Sequence, residues 1–273
     1  NLSFPEEDRT GQDDLFLQVL PAGVVISHFP TTQSTEIAAY ATGIVEVGDR
    51  ALPYVPQYPG IAANIRAYEE LASGIGIANT VPEIDGVVRR LPMISAVNET
   101  LYPSIILEVL KVYTGSNTYQ IRSNEMGVDA VRVRGYPTID TDGNGRIWIN
   151  PNYTFSEYNL DDEFTNLNGA TVFVGVTAEG IANPVPTAIG SRYGHEITAS
   201  AFASVTNGYN ISNPPAASLA APVSVLGLGL LIVLLGYVRF GWAISIIGMG
   251  IVMYIPFYMF TNYFELYKFF YFT

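Results

Sequence analysis

The run IAANIRAYEELASGIGIA, residues 61–78, places a helical pattern directly before a buried strand. Ile61, Ile65, Tyr68 and Leu71 recur at three-and-four spacing, which predicts a helix over 61–72. Gly74-Ile75-Gly76-Ile77-Ala78 is short, apolar and β-branched, and predicts a strand over 74–78. A helix that feeds an uninterrupted apolar strand is the building unit of a layered domain whose sheet is covered by helices. Working outward, helical spacing recurs over 12–20, 102–113 and 194–205, and strand-like runs over 23–27, 87–94, 131–134, 146–149 and 171–176. The runs at 23, 74 and 171 lie beside helices and read as buried core strands; those at 87 and 146 read as members of hairpins. The fold class expected is α/β, a layered domain with a mixed β-sheet covered by helices, followed by a transmembrane helical hairpin.

The hairpin is read from the C-terminal fifth. Residues 217–238 carry no charge and are dense in Leu, Val and Ile, enough for about 30 Å of helix at roughly 1.5 Å per residue. After Arg239-Phe240-Gly241 a second apolar run extends over 242–262, with Pro256 placed to kink it and Trp242, Tyr254, Tyr258 and Tyr263 suited to an interface. The competing reading is a hairpin buried in a soluble core. Arg239 in the connection assigns that loop to the cytoplasmic side and residues 1–214 to the outside. Pro214-Pro215 breaks regular structure and sets the expected boundary, 1–213 against 214–273.

Charge follows the same division. Of 25 acidic and 13 basic residues, only Arg239, Glu265 and Lys268 lie beyond 217, so the net charge of -12 belongs to the first part. A chain so acidic lacks the basic footprint that nucleic-acid binding needs. Cysteine is absent, which excludes disulfides. No charged start with an apolar core follows Asn1, so an export signal or first anchor is expected upstream, and the aromatic end over 264–273 reads as the start of a further span.

Several motifs, taken in order, carry a resemblance. Phe4-Pro5-Glu6-Glu7-Asp8 with Gln12-Asp13-Asp14-Leu15 forms an acidic turn and helix. Glu83-Ile84-Asp85-Gly86-Val87-Val88-Arg89-Arg90-Leu91-Pro92 forms a distinctive hairpin, followed by Pro103-Ser104-Ile105. Ile147-Trp148-Ile149-Asn150, the stretch 169–181 and Gly194-His195-Glu196-Ile197-Thr198-Ala199 complete the series. Over about residues 4–264 the chain resembles the CHASE domain of type two, the cyclase- and histidine-kinase-associated extracellular sensory domain of bacterial receptors. The resemblance implies an N-terminal span and a first core strand upstream of Asn1, and a cytoplasmic adenylyl or guanylyl cyclase or protein kinase as output. The chain departs from the family pattern at Asn183, where an acidic residue is usual, at Thr187-Ala188, where Thr-Pro is usual, and at Thr198, where His is usual.

Candidate sites divide between chemistry and structure. The loop after 171–176, with Thr177, Glu179, Gly180 and Asn183, is the expected ligand site, because helix-covered sheets bind at the carboxyl ends of strands; a turn that packs the last helix is the alternative. Asp140, Asp142 and Asn144 repeat the first half of a calcium loop, but position twelve is Pro151, and an Asx/Gly hairpin turn accounts for the same residues. Glu83, Asp85, Arg89 and Arg90 read either as a polar cluster or as a tight turn with solvent-facing arginines. His28 and His195, the only histidines, read as structural. Catalytic residues, metals and cofactors are expected to be none within these residues.

The function expected is the extracytoplasmic input module of a bacterial transmembrane receptor in the inner membrane, with the domain in the periplasm. Its expected partners are the lipid bilayer, a second copy in a homodimer or larger membrane assembly, and an unknown extracytoplasmic ligand. A non-signalling scaffold subunit of a membrane assembly or filament is the alternative, and a periplasmic enzyme the third reading.

Overall fold

Alternating and apolar runs resolve into several small sheets around one helix. The computed structural model describes residues 4–6, 10–20, 22–35, 43–159, 161–163, 167–178, 181–209, 211, 223, 226–230, 232–234 and 241–263. The chain divides into two compact units, Asn1–Tyr209 and Asn210–Thr273.

In the first unit, β1 (Val25–Thr31) pairs in parallel with β5 (Gly74–Ile77) and takes β4 (Gly60–Ala62) antiparallel on its other edge. Parallel neighbours need a crossover, and α2 (Arg66–Leu71) lies within it, after α1 (Asp13–Val19). A four-stranded sheet runs in the order β11 (Ile139–Asp140), β10 (Gly127–Val133), β9 (Tyr119–Asn124) and β2 (Ile44–Gly48). Along β9 burial alternates residue by residue, with Tyr119, Ile121 and Ser123 inward and Gln120, Arg122 and Asn124 outward. The strands β3 (Gln57–Tyr58), β7 (Ile94–Val97) and β8 (Thr100–Pro103) form a third sheet, and β6 (Arg90–Pro92) pairs antiparallel with β12 (Arg146–Trp148). Finally β13 (Val185–Thr187) and β14 (Gly190–Arg192) make a hairpin that leads into α4 (Gly194–Thr206).

The organising element is α3 (Ile105–Thr114). Ser104 caps its start by accepting from the Leu107 N–H, and Gly115 ends it in the left-handed region at φ 65°, which a residue without Cβ enters at no cost. Ile106, Leu107 and Leu110 are fully buried against Tyr119, Ile121 and Val131 of the four-stranded sheet and against Met93 and Ile94. On its other side α3 lies directly on β5. A Cβ at Gly76 would fall 2.4 Å from Ile105 Cα, and one at Gly74 2.4 Å from Glu108 Oε2. The two glycines permit an approach that no side chain would.

The structure corrects several expectations. The helix over 61–72 begins only at Arg66, because 60–62 is committed to the free edge of β1, where Ile61 lies opposite Pro30. The helix over 102–113 begins at Ile105, since Tyr102 and Pro103 belong to β8. The run 87–94 is split. Val88 bridges to Thr187, Arg90–Pro92 pairs with β12, and Ile94 starts a separate hairpin with β8 whose turn residues Asn98 and Glu99 take φ 47° and 66°. Beyond the local turn at 83–87, the segments at 87 and 146 are therefore paired with each other across about fifty residues.

The expected last strand, 171–176, is paired with no described strand. Its inward side is still defined. Phe173 packs on Phe202 with ring centroids 5.6 Å apart, and Gly175 lies tight against the His195 ring, while Val172, Val174 and Val176 are exposed.

The buried His28 joins β1 to α2 through Nε2, 2.7 Å from Glu69 Oε1. Burial holds its pKa below the ordinary 6.5, against the opposing pull of Glu69. A histidine whose folded pKa is depressed contributes stability that is present above the unfolded pKa and lost as pH falls through the folded one. Thermal unfolding at pH 7.5 and 5.5 is expected to show a fall in Tm on acidification that His28→Gln reduces; an equal fall in both proteins would contradict this.

In the second unit α5 (Gly241–Tyr263) is 23 residues long and carries no charged side chain. Of the first predicted span, the described residues 223, 226–230 and 232–234 are helical. Among the described residues no helix meets the combined length and hydropathy of a membrane span.

Candidate functional site

The charged hairpin turn 83–90 is pinned from two directions. Backbone geometry makes the turn itself: Gly86 N–H donates to Glu83 O at 2.8 Å, the Asp85 carboxylate accepts from the Val87 N–H, and Gly86 takes φ 79°. The cross-strand register of β6 and β12 then sets Arg90 opposite Trp148, with the guanidinium carbon 4.9 Å from the indole centroid. Arg90 donates through Nε to Glu83 at 2.7 Å and through Nη1 to Asp142 at 2.7 Å. Arg146 also donates to Asp142, at 2.9 Å from both its Nε and its backbone N–H. At the outer end Arg89 grips Asp85 with two bonds of 3.0 and 2.8 Å, and holds the Asp85 carboxyl below its usual range.

Three carboxylates thus face three guanidiniums. The inner four groups, Glu83, Arg90, Asp142 and Arg146, are 15 to 20% exposed, so the network sits at the edge of the interior. On the far side, Val88 N–H donates to Pro186 O at 2.8 Å and fastens the turn to β13. The β13–β14 hairpin leads straight into α4, where Glu196 accepts from the Tyr193 N–H at 2.6 Å and from Arg192 at 2.9 Å. Hairpin turn, second hairpin and helix start form one continuous polar end of the unit. Among the described residues every carboxylate in it is matched by a cation, which suits positioning and binding.

Of the residues expected to bind ligand, Thr177 is held by Tyr193, whose hydroxyl donates to the Thr177 carbonyl at 3.3 Å, and Asn183 is exposed just ahead of β13. Glu179 and Gly180 lie outside the described residues. Asp142, read above as an oxygen ligand of a calcium loop, is engaged by Arg90, Arg146 and the Asn144 N–H, and the Asn144 side-chain amide turns to Tyr54 O at 2.9 Å. Asp140 is placed in β11. His195 stacks near Tyr193 at 6.1 Å, and burial holds its pKa below the ordinary value. The local sequence marks Glu83, Asp85, Arg89 and Arg90, but not their union with Asp142, Arg146 and Trp148 across about fifty residues.

The chain matches the CHASE2 domain over residues 1–239. It belongs to the CHASE2 family. CHASE2 is an extracellular sensory domain of signalling receptors. No curated protein and no solved structure matches the chain. Of the positions that depart from the CHASE2 pattern, Asn183 and Ala188 are exposed, whereas Thr198 is buried in α4 and donates to Gly194 O at 2.8 Å.

Removing Arg90 leaves Glu83 without its main partner and Asp142 with one guanidinium instead of two. Arg90→Leu is expected to cost about 2–3 kcal/mol in denaturant unfolding, at the lower end for breaking an ion pair because these groups keep some solvent. Arg90→Lys, which keeps the charge and loses the fork and ring stacking, is expected to fall between. Equal stability of the Leu variant and the parent would show that the network holds nothing in place.

Proposed function

We propose that residues 1–209 form the extracytoplasmic input unit of a bacterial membrane receptor, anchored by the apolar helices that follow and controlling a cytoplasmic cyclase or protein kinase. The observation that carries the reading is the CHASE2 match over 1–239, which joins a sensory family to most of this chain. Two features support it. The polar end around Arg90 and β13 is neutral and fully paired, so an incoming charged ligand would exchange partners with groups already held in position. The helix Gly241–Tyr263 carries no charge along its length.

A receptor of this kind responds because its ligand favours one of two arrangements, and the difference in affinity limits the response. The test uses the full-length receptor. Deleting residues 1–209 while keeping the helices is expected to fix effector output at one level under all growth conditions. An unchanged, still responsive output would overturn the reading.

A further inference from the structure

The first unit is strongly acidic: residues 1–209 hold 24 Asp and Glu against 11 Lys and Arg, a net of -13. Among its described arginines all are ion-paired except Arg50, Arg132 and Arg134. Two of these three belong to one place. Arg132 lies on β10 opposite Gln120, and Arg134 follows in the next turn. On the same outward face Arg122 of β9 lies opposite Val47 of β2, and Gln120 opposite Val45. Val45 and Val47 are 49% and 47% exposed, and no described strand pairs with the outer edge of β2. Asp129 of β10 pairs with Arg122 at 2.6 Å on this face, so its uncompensated charge is that of Arg132 and Arg134, with an apolar pair at the open edge, on a unit whose net charge is acidic.

The matching chemistry is present in the same chain. Segment 155–163 carries Glu157, Asp161, Asp162 and Glu163, all exposed, beside Phe155 and Tyr158 at 43% and 46% exposure. The Asn159 N–H donates to the Asp162 carboxylate and turns the segment, and no described ion pair joins its carboxylates to any arginine. We propose that the outer face of β2, β9 and β10 is a self-association surface that takes the acidic, aromatic segment 155–163 of a second copy. Its carboxylates meet Arg132 and Arg134, its rings cover Val45 and Val47, and Arg122 stays with Asp129. Screening over about 8 Å at physiological salt removes the repulsion of distant charges and leaves this local match. An anionic bilayer would offer the arginines charge as well, and the test below separates it from a second copy. Because different patches meet, the contact closes as a two-fold dimer only if it is reciprocal, and otherwise propagates to a ring or filament.

The test is self-association of the full chain in detergent, by sedimentation velocity at low and high salt. Arg132→Glu with Arg134→Glu is expected to weaken association about tenfold or more, as is Asp161→Lys with Glu163→Lys, and the four changes together are expected to restore it. All these side chains are exposed, and unchanged circular dichroism and Tm would confirm that the variants fold. A monomeric parent chain, reversals without effect, or a combination that fails to restore association would overturn the proposal. So would loss of binding to phosphatidylglycerol vesicles by the arginine variant with self-association intact, which would give the face to a membrane.

Discussion

Gly76→Ala is expected to leave the first unit unable to hold its native packing. The added Cβ would sit 2.4 Å from Ile105 Cα, 2.5 Å from Ile105 N and 2.7 Å from Ser104 C, all backbone atoms at the first turn of α3. Flexible side chains yield to such an intrusion, but a helix start does not, because moving it displaces the Ser104 cap and the buried residues Ile106, Leu107 and Leu110 together. Overpacking usually costs about 1–3 kcal/mol, and a clash with backbone on both strand and helix lies at or above that limit. A loss of about 3 kcal/mol or more is a large fraction of the roughly 5–15 kcal/mol that holds a domain folded, so Gly76→Ala should give less soluble folded protein and a strongly lowered Tm. Gly86→Ala serves as the comparison. A Cβ there meets nothing within 4 Å, and only the strain of φ 79° remains, so a much smaller loss is expected. Equal stability of the Gly76→Ala protein and its parent would mean that α3 does not rest on β5.

The second large effect is expected at Glu108, a carboxylate buried in the heart of the unit. The Tyr119 hydroxyl donates to it at 2.5 Å and Lys111 Nζ lies 2.5 Å away, while Gly74 leaves room for it against β5. Glu108→Leu removes the acceptor of the Tyr119 hydroxyl and the counter-charge of Lys111 at once and is expected to cost about 3 kcal/mol by urea unfolding. Glu108→Gln keeps an acceptor for Tyr119 and is expected to cost far less. Burial raises the Glu108 pKa above its ordinary value, against Lys111 and Tyr119, which lower it. A raised folded pKa means that the native state holds this proton more tightly than the unfolded chain. The associated stability is complete below the unfolded pKa near 4.5 and is lost as pH rises through the folded pKa. Relative to the parent, Glu108→Gln is therefore expected to gain stability as pH rises across that interval. A pH-independent difference between the two proteins would contradict the assignment.

What could be read in the sequence was local. The 194–205 helix and the 74–78 strand were legible because their periodicity is not shared with any competing element, and the structure places them at Gly194–Thr206 and Gly74–Ile77. Ile61 shows why others failed. An apolar residue at the edge of a helical pattern fits a strand equally well, and the vacant edge of β1, which no local pattern encodes, decides between them. The same holds for β2, whose five residues pair in parallel with β9 from about seventy-five positions away. In the polar end, Asp85-Gly86 announced its turn, but the partners of Arg90 are chosen by the register of β6 on β12. Asp142 illustrates the cost of a local motif: its surroundings read as half a calcium loop, and its carboxylate is filled by two arginines that the motif does not contain.

The central claim is that the CHASE2 unit of this chain lies outside the cytoplasm and is held at a membrane. The absence of cysteine gives a direct measurement. Ile84, at the tip of the charged hairpin turn, is fully exposed, so Ile84→Cys introduces one reactive thiol into these residues without disturbing packing. Intact cells expressing the full-length protein are treated with a membrane-impermeant maleimide before and after lysis, with the unsubstituted protein as the blank. Labelling of the Ile84→Cys protein in intact cells, unchanged by lysis, is the predicted result. Labelling that appears only after lysis would place the unit in the cytoplasm and contradict the account.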